Sequence, residues 1–127
     1  MLTISVVAGW IGMLAGIISG SIGGLFFYRE EWMGGYTSFR RRMARLGHVS
    51  FFGLGFLNLF FATTAPLLHL SGWWLATASI SLIVAAVTMP ACCFLTAWRA
   101  PMRHLFPIPV IASSVGVLAI LLGWLTQ

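Results

Sequence analysis

The chain has 127 residues, of which 60% are hydrophobic and only 7% charged. Soluble domains carry about a quarter charged residues, so this composition excludes a water-soluble monomer, and its apolar content excludes a disordered chain. The formal net charge of +5 comes from seven arginines, with no lysine, against two glutamates. In a soluble domain that excess would suggest nucleic acid. Here the cations cluster beside long apolar runs, the pattern left by membrane insertion, so nucleic-acid binding is not expected.

Four apolar stretches follow one another: residues 2–27, 46–65, 73–98 and 105–124. A helix needs about 20 apolar residues to cross a bilayer core. No ionisable residue lies deep in any of the four, and none shows the alternation of a barrel strand. Backbone groups in hydrocarbon must bond within their own segment. The expectation is an all-α polytopic membrane protein, a single domain of four transmembrane helices in an up-down bundle. Arg29, Arg40, Arg41, Arg42 and Arg45 lie between spans one and two, and Arg99 and Arg103 between spans three and four. The link between spans two and three has no arginine, and neither do the termini. All seven cations thus fall on one side, which the positive-inside rule makes cytoplasmic, with both termini outside. The predicted location is the cell's inner (plasma) membrane.

Span one carries Gly9, Gly12, Gly16, Gly20, Gly23 and Gly24. At about 100° per residue these occupy about a third of the helix circumference. Such a stripe admits a neighbouring backbone at close range. The expected use is packing on another helix of the same chain; contact with another subunit or with a flat cofactor are alternatives.

In the loop that follows, Gly34 and Gly35 predict a turn, and Ser38 is placed to cap a helix running on into span two. Phe39, Met43 and Leu46 share one side of that helix; Arg41, Arg42 and Arg45 share another. Arg40, Arg41, Arg42 and Arg45 are therefore candidate contacts for the headgroups of an anionic inner leaflet. Cations at a helix N-terminus oppose its dipole, so a negative group is expected nearby: lipid phosphate, Glu30 or Glu31, or an acidic partner.

Asn58 is the strongly polar residue nearest the middle of a span; Ser79 and Ser81, or Ser113 and Ser114, are candidate partners. His48 and His104 fall at similar depth on different spans, which allows ligation of a b-type haem between them. Met89, Cys92 and Cys93 supply soft donors toward the same end, without a paired metal-ligand motif. Cys92 and Cys93 are adjacent, a spacing that does not favour a disulfide between them. Pro90 removes one helical hydrogen bond from span three.

No intramembrane carboxylate is present, as proton-coupled carriers require, and no phosphate loop or nucleophile elbow. The leading expectation is a non-enzymatic integral membrane subunit that packs against other membrane helices, as a homo-oligomer or in a larger complex. Two other classes stand beside it. One is a haem-bearing electron-transfer subunit associated with quinone. The other is a small channel or a solute or lipid carrier lined by Asn58 and the serines.

Overall fold

The computed structural model describes residues 1–126 and is all-helical, with no strand among the described residues. Helix α1 spans Leu2–Phe26, α2 Phe39–Leu67, α3 Gly72–Trp98 and α4 Pro107–Leu125. Short 3-10 helices occupy Trp32–Gly34 and Ala100–Leu105 in the two arginine-bearing connections. Four helical segments are long and apolar enough to cross a membrane, which fits a small membrane protein.

The α1–α2 contact follows from the glycines. A Cβ built on Gly12 would stand 3.1 Å from the Phe51 carbonyl oxygen and 3.2 Å from the Gly55 Cα. On Gly9 it would meet Leu59 at 2.6 Å, on Gly16 the Phe52 ring at 2.7 Å, and on Gly20 His48 Cε1 at 2.5 Å. Numbers rise along α1 as they fall along α2. A side chain at any of these four positions would force its neighbour to shift: backbone at Gly12, chiefly a side chain at Gly9, Gly16 and Gly20.

Glycines also set the other two contacts. Gly47 of α2 admits Phe94 and Cys93 of α3, while Gly116 and Gly123 of α4 admit Leu82, Leu70 and Trp74. Each helix thus packs chiefly on its sequence neighbour. Toward the end that carries the α2–α3 turn, Phe61, Ala65, Leu70, Ala78, Leu82 and Ala119 form a buried cluster, with Leu2 packed against it. The outward faces of α1 and α4 stay bare: Ile4, Val7, Ile11, Leu14, Ile108, Ile111 and Leu118 are all half or more exposed.

The α2–α3 turn is a six-residue C-cap. The Leu70 amide donates to Ala65 O at 2.9 Å and the His69 amide to Pro66 O at 3.1 Å. This closure needs a left-handed residue, and His69 takes that place with φ 52. Leu70, next in line, is buried in the cluster.

Polar groups inside the helices find partners other than those expected. Asn58 is fully buried, and its Nδ2 donates to Leu54 O at 2.9 Å and Leu82 O at 3.1 Å. Ser113 and Ser114 do not reach it, because their hydroxyls donate to carbonyls of their own helix, at Pro109 and Val110. Ser79 instead meets Ser5 at 2.8 Å, joining α1 to α3. Cys92 and Cys93 are buried free thiols, and α3 continues through Pro90.

Candidate functional site: the arginine-rich end

The first link is the N-terminus of α2. Ser38 Oγ accepts from the Arg41 amide at 3.2 Å and donates to Met33 O at 2.6 Å. It therefore caps α2 and pins the preceding turn to it. That turn holds Met33 in the left-handed region, at φ 55 and ψ 31, followed by Gly34 and Gly35 at φ 86 and 97. A long side chain at positive φ is uncommon and costs energy; here it directs Met33 toward a cavity wall.

Arg41 is the second link. Helix α1 ends with unsatisfied carbonyls and the negative end of its dipole. Arg41 Nη2 donates to Phe27 O at 2.6 Å, and Nη1 to Arg29 O at 3.3 Å. Tyr36 Oη donates to the same Phe27 oxygen at 2.9 Å. The Arg41 Cζ lies 3.9 Å from the Tyr36 ring centroid, 4.3 Å from that of Phe27 and 5.5 Å from that of Trp32. The residue is 0% exposed and its Nε has no partner. Arg41 is therefore not presented on the surface with the other arginines: the loop folds back and encloses it in an aromatic cage. The negative groups that meet it are backbone carbonyls, not Glu30 or Glu31.

The other three arginines of the set remain exposed. Arg40 Nε donates to Ala97 O at 3.0 Å, which ties the start of α2 to the end of α3. Arg45 Nη2 donates to Tyr36 O at 3.2 Å. Arg42 lies free on the surface beside them.

His48 stands one turn deeper on α2. Its Nδ1 lies 3.1 Å from Ser19 Oγ, and Ser19 Oγ donates to Gly16 O at 3.1 Å. A hydroxyl has one proton to give. With it spent on Gly16, the Ser19 oxygen is placed to accept from Nδ1–H of His48. The ring also meets Phe52 edge-on at 5.4 Å.

A cavity of about 560 Å³ opens between these parts. Ser19, Gly20, Ile22, Gly23 and Gly24 of α1 form one wall, and Ala44, Arg45, His48 and Val49 of α2 the other. Phe94 of α3 and Phe27, Trp32, Met33 and Arg41 complete it. Its origin lies in the glycine stripe. The stripe touches α2 as far as Gly20 and continues beyond it, but a Cβ on Gly23 or Gly24 would meet nothing within 4 Å. The space that tight packing would fill is left open. The volume lies in the range of small-molecule sites. Apolar walls with cations at one end suit an amphiphile.

The structure does not bring His48 and His104 together. His48 faces α1, whereas His104 is exposed on the second 3-10 helix, which packs on α3, and it does not line the cavity. The two histidines do not share a cavity wall. Nor do the cysteines join a metal-ligating set: among the described residues no three His, Cys, Asp or Glu side chains converge.

The chain matches no protein family, no characterised protein and no solved structure. The Arg41 cage, the Ser19–His48 contact and the Ser5–Ser79 contact had no signal in spacing alone. A cage made by Phe27, Trp32 and Tyr36 from a loop, around a cation on the next helix, has no periodicity to read.

Proposed function

We propose that the chain is a small non-enzymatic subunit of a membrane assembly. Its four helices span the bilayer in up-down order, with the arginine-rich end in the cytoplasm and both termini outside. The observation that carries this reading is the division of labour on α1. Its small-residue face is spent on α2, and its opposite face presents Ile4, Val7, Ile11 and Leu14 outward along the helix. Helix α4 does the same with Ile108, Ile111 and Leu118. These faces suit lipid or the helices of a neighbouring subunit. Chemistry is disfavoured by the inventory: the two carboxylates, Glu30 and Glu31, are exposed on the loop, and general acid–base work needs a positioned pair.

A photo-crosslinking amino acid at Ile11 or Leu118, in cells, tests the subunit role. The expected products are defined protein adducts larger than the monomer. Adducts with lipid alone at both positions would contradict it.

A further inference from the structure

We infer that the cavity between α1 and α2 seats one anionic phospholipid, an acyl chain in the apolar slot and its phosphate at the guanidinium end. This deepens the reading above and rests on the chain's being a membrane protein.

Two independent observations converge. The first is the slot, walled by Ile22, Val49 and Phe94 and kept open by Gly23 and Gly24. Nothing in the packing of the chain uses the stripe beyond Gly20. An acyl chain needs such a groove: narrow, apolar and without hydrogen-bonding demands. The second is an unanswered charge. Arg41 stands in the cavity wall, is 0% exposed, and keeps its Nε without a partner, so its charge reaches the slot through space and not by contact. Its other bonds go to carbonyl oxygens, which are dipoles and not anions. A buried cation is costly without a counter-charge. Arg45 adds a second guanidinium to the same wall, and guanidinium geometry matches phosphate oxygens.

The occupant follows from the chemistry. With five arginines against two glutamates in this connection, the field favours an anion over a zwitterion. Basic pockets between membrane helices at the cytoplasmic face hold anionic headgroups on the same grounds. A soluble phosphate would leave the apolar walls unfilled, so the ligand carries a hydrocarbon chain.

The test uses the full chain in detergent micelles, titrated with phosphatidylglycerol or with phosphatidylcholine of identical acyl chains and read by native mass spectrometry. One phosphatidylglycerol should be retained per chain, with a preference of about tenfold or more over phosphatidylcholine. Gly23→Leu puts a side chain into open space, so it should keep the helical spectrum and melting behaviour of the wild type while losing phosphatidylglycerol binding about tenfold. Arg45→Gln should reduce the preference between the two lipids. Should Gly23→Leu fail to fold, the Arg45→Gln measurement stands alone. Equal retention of the two lipids, undiminished binding by a folded Gly23→Leu protein, or full competition by glycerol phosphate would each overturn the site. Flotation with liposomes separates the two readings. A protein that floats but shows no preference loses only the lipid site; one that does not float loses the membrane reading as well.

Discussion

Arg41 reaches back from the first turn of α2 to hydrogen-bond the carbonyl of Phe27, 14 residues earlier, at 2.6 Å. The bond joins the C-terminal end of one apolar helix to the N-terminal end of the next. Charge-assisted bonds to carbonyls contribute about 1.5–3 kcal/mol each, and the stacked rings add about 0.5–2 kcal/mol. Arg41→Lys keeps the charge but loses the planar two-pronged geometry and the stacking. It should lower stability by about 2 kcal/mol in SDS titration, whereas Arg42→Lys, on the exposed surface, should change it by less than about 0.5 kcal/mol.

The α1–α2 interface makes a second prediction. Gly12→Leu would drive a side chain into the backbone of Phe51 and Gly55, which cannot rotate aside. Gly16→Leu would meet the Phe52 ring, which can move in part. The expected losses are about 3 and about 1–2 kcal/mol respectively. Gly53→Leu is the control, because a Cβ there meets nothing within 4 Å, and its unfolding midpoint should stay near that of the wild type.

Asn58 tests polar bonding in the span. Its Nδ2 donates to two carbonyl oxygens, while Oδ1 lacks a partner. Asn58→Leu therefore gives up little, about 1 kcal/mol or less, given the modest value of interhelical polar bonds in lipid. Asn58→Asp sets carboxylate oxygens against Leu54 O and Leu82 O, and should cost several kcal/mol or abolish folding. Equal effects of the two substitutions would refute the assigned bonding.

His69 offers a stabilising change. It holds the left-handed position of the α2 C-cap, where a side chain costs about 1–2 kcal/mol. His69→Gly should raise the melting temperature, by an amount corresponding to about 1 kcal/mol.

Much of this architecture could be read from residues. The four spans came from apolar length, and their observed counterparts differ by a residue or two, except at the start of α2. There hydropathy placed the boundary at Leu46, yet the helix begins at Phe39. Apolarity marks the bilayer and not the helix, and the Ser38 cap was the better guide. Arg41 shows the limit of periodicity. Its spacing grouped it with Arg42 and Arg45, but burial was decided by a loop that folds over one of the three. Asn58 shows another limit. Serines on helices satisfy themselves with carbonyls one turn back, so Ser113 and Ser114 were never available to it. The cavity was hidden for a related reason. Gly23 and Gly24 look like the rest of their stripe, yet a Cβ at either would meet nothing within 4 Å.

The chain is proposed to lie in a bilayer with its guanidinium groups on one face. Single cysteines at Thr37 and at Ser71, both exposed, in a chain with Cys92 and Cys93 changed to alanine, can be probed with a membrane-impermeant maleimide on intact cells. Labelling is expected at Ser71→Cys, and none at Thr37→Cys until the cells are opened. Labelling of Thr37→Cys in sealed cells, or of both positions alike, would contradict it.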